Sequence, residues 1–204
     1  QIRDVAARAL RAGCPIADDA GHRRDQGGDR RGDAPRRAPE LTVADLPELR
    51  PGEVTLPGGL GHANDAGLHF IGRIRTPWTR GDCPRNIAAA REQMSGARIE
   101  LDPRLAPALT GLEPGQPLLL LYWMHNARRD LLLQAPKHVD APRGTFALRS
   151  PNRPNPIAAS AVILTAIDIA AATLEIDAID CFDGTPLVDI KPWIPTVDTP
   201  PGRP

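Results

Sequence analysis

The residues best suited to chemistry fall in three short segments that make poor strands and poor helices yet are rich in ligand-binding groups. The densest is Arg149-Ser150-Pro151-Asn152-Arg153-Pro154-Asn155-Pro156. Its three prolines fix φ and withdraw three backbone donors, which predicts a stiff extended loop whose polar side chains lose little entropy on engaging a partner. A rigid connector between strands would explain the prolines, but not the two Arg and two Asn interleaved with them. Asp183-Gly184-Thr185-Pro186 reads as a turn in which Gly184 is free to take positive φ. Tyr122-Trp123-Met124-His125 ends an apolar run, and a histidine there is either a satisfied core side chain or a group that takes up a proton near neutrality. Cys14, Cys83 and Cys181 are odd in number and widely spaced. That argues for reduced thiols and against a disulfide framework or a zinc site, so no metal is expected. Gly58-Gly59-Leu60-Gly61 lacks a preceding strand and a following helix, so the dinucleotide-type fingerprint is missing.

Elements able to hold these segments begin at about Gly67, where short apolar runs alternate with turn residues, the pattern of an all-β chain rather than of βαβ units. Leu68–Ile74 opens the series. Ala97–Leu101 and Thr173–Ile179 alternate strictly and should bury one face. Leu118–Trp123 and Ala161–Ile167 are apolar enough to suggest burial on both faces. Phe146–Leu148 and Leu187–Ile190 complete about seven strands, and closing them into a small closed or partly open barrel removes exposed edges. Short helices are expected near Asn86–Glu92 and Pro103–Leu109.

Residues 1–66 form a different texture, crowded with Arg, Asp, Gly and Pro and short of large apolar side chains. They read as a largely irregular extension, either a solvated tail or a charged arm that touches RNA. Ile2–Leu10 and Leu41–Leu49, the latter with Thr42 as a cap, are its two candidate helices. The barrel domain is placed at 67–198 and a short tail at 199–204. The 204 residues carry 25 basic and 25 acidic side chains, so any nucleic-acid contact must come from a local patch. No apolar run approaches the ~20 residues that span a bilayer, and no secretory leader pattern opens the chain, so a soluble, cytoplasmic protein with no membrane partner is expected.

Four phrases carry a family resemblance: Phe70-Ile71-Gly72-Arg73-Ile74-Arg75-Thr76-Pro77-Trp78, Asp82-Cys83-Pro84-Arg85, Leu148 to Ile157, and Asp183 to Pro195. In this order they resemble the signatures of the TsaA-like (TrmO) family, over about Leu68 to Asp198. The resemblance implies a usually dimeric small β-barrel that binds S-adenosylmethionine without a Rossmann fold. It also implies methyl transfer to the exocyclic nitrogen of threonylcarbamoyladenosine in tRNA, by in-line attack that needs no covalent intermediate.

On that resemblance Arg149, Ser150, Pro151, Asn152, Arg153, Asn155 and Pro156 shape the cofactor pocket, and Asp183, Gly184 and Thr185 close it, Asp183 accepting ribose hydroxyls. Arg153 and Asn155 also act at the reacting centre together with His125. Arg75 and Arg85 are the candidates for binding substrate phosphate or carboxylate. Two departures stand out. Ala158 occupies a position commonly glycine in the family, and the best-known tRNA-modifying members continue into a second domain beyond the segment matching Asp198. The second expectation is therefore a non-catalytic S-adenosylmethionine-binding sensor. The third is a general RNA-binding barrel using Trp78, Tyr122, Trp123 and Trp193.

Overall fold

The computed structural model describes residues 48–58, 65–93, 96–137 and 140–202. Its strands are β1 (Val54–Thr55), β2 (Gly72–Arg75), β3 (Ala97–Leu101), β4 (Pro117–Trp123), β5 (Leu131–Gln134), β6 (Arg143–Gly144), β7 (Ile157–Asp168), β8 (Thr173–Ile176) and β9 (Thr185–Pro192). Six close a barrel in the order β2-β3-β8-β7-β4-β9, with every neighbouring pair antiparallel. The expected mainly-β, non-Rossmann barrel is therefore the fold. Period-two patterning does the work: Ala97, Ile99 and Leu101 point inward while Arg98 and Glu100 face water. Ile74, Ile99, Leu118, Leu120, Leu164, Leu174, Ile176 and Leu187 are fully buried at its centre. Each such side chain contributes about 1.5–3 kcal/mol of burial. At Gly72 a Cβ would stand 2.3 Å from the Glu100 carbonyl oxygen, so the approach of β2 to β3 requires glycine there.

A barrel has one interior, and this corrects the expectation of strands buried on both faces. Along β7, Val162 and Leu164 are buried while Ala161, Ile163 and Thr165 are exposed. Along β4, Leu118, Leu120 and Tyr122 are buried and the residues between them half-buried. Phe146–Leu148 is not a strand. Thr145–Ala147 forms a 3₁₀ turn in which Thr145 is buried and Phe146 is 83% exposed. The inward anchor is a hydroxyl rather than the aromatic ring, because Thr145 Oγ1 donates to the Leu131 carbonyl at 2.7 Å. Pairing of the first strand starts only at Gly72, leaving Leu68 and Phe70 exposed ahead of it. β8 ends at Ile176, although Ala178 and Ile179 remain buried.

Helix α1 (Ile87–Glu92) lies where expected, with the Asn86 side chain accepting from the Ala89 N–H. Pro103–Leu109 is a 3₁₀ helix; Pro107 inside it has no N–H to donate. Helix α2 (Pro195–Asp198) follows the barrel.

Three strands lie outside the barrel in the order β1-β5-β6. β1 falls within the segment expected to be largely irregular. It is anchored by Leu56 N–H donating to the Asp130 carbonyl at 2.7 Å and by Ala135 N–H donating to Glu53. The helix expected at Ile2–Leu10 lies outside the described residues. Of Leu41–Leu49 only Glu48 and Leu49 are described, and neither is helical.

Candidate functional site

The proline-rich loop enters β7, and its backbone is tied down from outside. The Asn152 N–H donates to Ser150 Oγ at 3.2 Å, its side-chain oxygen accepts from the Arg128 N–H at 3.1 Å, and its carbonyl accepts from Gln134 Nε2 at 2.6 Å. Gln134 is 4% exposed and also donates to Thr145 Oγ1 at 2.9 Å, so β5 and the 3₁₀ turn behind it brace the loop. Arg129 Nε donates to the Pro154 carbonyl at 2.7 Å, and Met124 N–H to the Pro156 carbonyl at 2.8 Å. Pro156 is fully buried. Against this fixed frame the side chains of Arg153 and Asn155 make no hydrogen bond or ion pair among the described residues. The loop is rigid in its backbone and has polar heads to spare, as a preorganised binding loop requires.

The second segment is welded to β2. Gly184, at φ 74°, donates its N–H to the Ile74 carbonyl at 2.9 Å, and Arg73 donates to the Gly184 carbonyl at 3.2 Å. Asp183 pairs with Arg75 at 3.2 Å and accepts from the Thr76 N–H at 3.2 Å. Arg75 also pairs with Glu100 at 3.2 Å, so its charge is balanced on both sides. Its clearest work is positioning the Asp183 turn. Thr185 is buried, with its hydroxyl donating to the Phe182 carbonyl at 2.7 Å.

Between loop and turn lies a half-buried polar cluster. His125 follows β4, and its Nδ1 is buried with no hydrogen-bond partner. Burial holds its pKa below the ordinary imidazole value, the Trp123 carbonyl works against that shift, and the charge of Arg73 adds to it. The ring is therefore neutral at pH 7, with a nitrogen lacking a partner. Asp180 is raised above the usual carboxylate range by burial, which the Arg149 guanidinium partly offsets. Arg149 itself donates to the Ala159 carbonyl at 2.8 Å. The Tyr122 hydroxyl and Ser160 Oγ share a hydrogen bond at 3.0 Å, and burial pushes that phenol upward. Burial and nearby aspartates push the Cys83 thiol up to about 11 and the Cys181 thiol up to about 12. Both stay protonated at neutral pH, so neither offers a thiolate nucleophile.

Nearly all the residues singled out in the sequence thus converge on one end of the barrel. Arg73 is bonded to the Asp183 turn and its charge is felt at His125, while the charge of Arg149 in the proline loop is felt at Asp180. Arg85 is exposed two residues beyond Cys83 and makes no bond among the described residues. Sequence reasoning missed Asp180, Gln134, Arg128 and Arg129. The acid set between Ile179 and Cys181, two apolar neighbours, was the signal available for Asp180. Arg128 is locked by a pair with Asp130 at 2.7 Å. A hollow of about 480 Å³ lies elsewhere, at the Pro117–Pro192 end of β4 and β9. Two of its polar side chains are already engaged, Gln116 with the Glu113 N–H and Asp189 with Lys191. No group of three or more metal-binding side chains occurs among the described residues, and no helix among them is long and apolar enough to cross a membrane.

A family model described as the tRNA-methyltransferase O N-terminal domain matches residues 73–199. A probable S-adenosyl-L-methionine-binding protein, VirR of Rhizobium radiobacter, is 40% identical over 145 residues, 71% of this chain and 79% of the relative. The tRNA (adenine(37)-N6)-methyltransferase of Escherichia coli is 31% identical, over 64% of this chain and 59% of that protein. The crystal structure of TrmO from Pseudomonas aeruginosa superimposes with a TM-score of 0.51 at 30% identity, over 66% of this chain and 58% of that one. The match therefore spans somewhat over half the length of these two longer proteins. The barrel with its proline-rich loop places the chain in the tRNA-methyltransferase O (TsaA-like) family, to which it belongs through that family's N-terminal domain.

Proposed function

We propose that this protein binds S-adenosylmethionine at the end of the barrel formed by the proline-rich loop and the Asp183 turn, and transfers its methyl group to N6 of threonylcarbamoyladenosine in tRNA. The observation that carries the reading is the loop: a backbone braced by Ser150, Arg128, Gln134, Arg129 and Met124, from which the side chains of Arg153 and Asn155 project without partners among the described residues. The buried, unpartnered Nδ1 of His125 and the half-buried Asp180 are the second mark of a site awaiting a polar ligand.

S-adenosylmethionine supplies a methyl group activated by attachment to a positively charged sulfur. Arg149, Ser150, Pro151, Asn152 and Pro156 would form the wall against which the cofactor lies. Asp180 and the Asp183-Gly184-Thr185 turn face it, with a carboxylate suited to hydroxyls and to positive charge. Arg153 and Asn155 orient the incoming nitrogen. The nitrogen would give up its proton as the N–C bond forms and the methyl–sulfur bond breaks to leave a neutral thioether, and the neutral imidazole of His125 would take that proton. Arg85, exposed and without a carboxylate partner among the described residues, meets the substrate's negative groups. Arg75 acts through Asp183. The family resemblance further supports a cytoplasmic homodimer, which light scattering of the full chain checks.

The test is transfer of labelled methyl from S-adenosylmethionine to unfractionated tRNA, compared with tRNA lacking the threonylcarbamoyl group. Transfer confined to the modified tRNA supports the reading, and cofactor binding without transfer to either refutes it. That refuting outcome is what the sensor reading expects, and the naming of the Rhizobium radiobacter relative for binding alone favours it as the alternative.

A further inference from the structure

We propose that Trp123, Arg129 and Phe70 form a stacking platform for an unpaired nucleobase of an RNA loop lying against the proline-rich loop; this rests on the tRNA-directed reading above. Aromatic residues make up only 3% of the chain, yet two of them meet here, Phe70 and Trp123, with ring centroids 6.3 Å apart and planes at 46°. Phe70 is 41% exposed ahead of β2, and Trp123 ends β4 on its half-buried outer side. The Arg129 guanidinium lies 5.6 Å from the centre of the Trp123 ring. It is pinned by its bond to the Pro154 carbonyl. Arg129 has no carboxylate partner among the described residues, whereas its neighbour Arg128 is paired with Asp130.

An exposed guanidinium within cation–π distance of an indole can also receive a further π-surface, and its unbalanced charge an anion. A nucleotide offers both in one unit, and unpaired RNA bases are read by stacking on aromatic rings and guanidinium planes. Arg73, bonded to the Gly184 carbonyl, and Arg153, next to the Pro154 that Arg129 holds, also have no carboxylate partner among the described residues. A lipid or protein anion would use the charge but leave the pairing of two scarce aromatic rings beside it unexplained.

The experiment measures binding of the full chain to a fluorescent RNA hairpin with an unpaired purine-rich loop, against a fully paired duplex of equal length. Trp123→Leu and Arg129→Gln should each weaken hairpin binding by about tenfold, with Phe70→Leu a smaller change in the same direction. Duplex binding should change less than about twofold on Trp123→Leu, because a paired base offers no free face. Hairpin binding within about twofold of the parent for both Trp123→Leu and Arg129→Gln, or equal losses on both RNAs for Trp123→Leu, overturns the platform. Arg129 is exposed, so its variant decides the matter if Trp123→Leu melts early. Methyl transfer separates this proposal from the reading beneath it. Hairpin binding lost in the variants while the parent transfers no methyl sinks the enzyme reading and leaves the platform. Undiminished transfer at limiting RNA in both variants does the reverse.

Discussion

Replacing Gln134 by Met tests whether the proline loop is held rigid from behind. The side chain is 4% exposed and its amide makes two donated bonds, 2.9 Å to Thr145 Oγ1 and 2.6 Å to the Asn152 carbonyl. Methionine keeps the volume and removes both donors. Each lost neutral bond costs about 0.5–1.5 kcal/mol, and the Asn152 carbonyl loses its side-chain partner, so the total is about 1–3 kcal/mol. For a unit of this size that lowers the melting temperature by roughly 4–8 °C at 2 kcal/mol. Thr145→Val shares one of the two bonds, so a double-mutant cycle should show a coupling of about 0.5–1.5 kcal/mol. The functional consequence is separable from the stability loss. Well below its melting point, Gln134→Met should bind S-adenosylmethionine several-fold more weakly, because Asn152 is no longer fixed before the ligand arrives. Calorimetry and thermal melts of the four proteins check both. A melting temperature within about 1 °C of the parent, or unchanged cofactor affinity in a destabilised variant, would refute the bracing argument.

Arg153→Ala should leave the melting curve in place, since the guanidinium makes no bond among the described residues, while methyl transfer falls about a hundredfold or more, roughly 2–4 kcal/mol of transition-state stabilisation. Near-parental transfer would remove it from the site. His125 binds its proton less readily folded than unfolded, so the unfolded state holds more protons between the two pKa values. Its contribution to stability is present above about pH 6.5 and is lost as pH falls from there through the lowered folded value; His125→Gln should flatten that part of the stability profile in urea melts at stepped pH. Deleting residues 1–47 should preserve the cooperative transition, whereas deleting 1–65 strips β1 from β5 and should lower the transition midpoint, with loss of cooperativity in the shorter deletion counting against this boundary. Gly72→Ala should destabilise by about 1–3 kcal/mol or more, because the new methyl meets Glu100 backbone at 2.3 Å; a neutral thermal shift would contradict the register of β2 on β3.

The strands legible in the sequence are those whose alternation reports directly on the barrel interior. β3 and β8 show it as Ala-Arg-Ile-Glu-Leu and Thr-Leu-Glu-Ile, and the structure places their apolar members inward. β4 and β7 were readable as strands but not as to burial, because their outer faces are also apolar and only closure decides which set is covered. β5 gave almost no signal. Leu131-Leu132-Leu133-Gln134 is short, follows the charged Arg128-Arg129-Asp130, and takes its partner Val54–Thr55 from a segment dominated by charge and proline. Phe146 misled because aromatic rings favour strands, while the anchor chosen here is the hydroxyl of Thr145. Of the site, the proline loop and the Asp183 turn were visible because their residue types are costly to keep without a purpose. Asp180 was hidden by its single apolar-flanked position, and the braces on Asn152 were hidden because β5 was.

The balanced charge of the chain conceals a division of labour among its arginines. Arg75, Arg91, Arg98, Arg104 and Arg128 are paired with carboxylates, four of them on exposed surfaces where solvent screens the pair and little stability is gained. Arg73, Arg129 and Arg149 are fixed instead by backbone carbonyls, of Gly184, Pro154 and Ala159. A carbonyl orients a guanidinium without neutralising it, so these three keep their positive charge while losing their freedom. All three lie at the end of the barrel that carries the proline loop and the Asp183 turn. Three guanidiniums are thus held in place at one end of the barrel while the 25 basic and 25 acidic side chains of the sequence balance, so any attraction of the proposed tRNA substrate would have to arise locally at that end rather than from net charge.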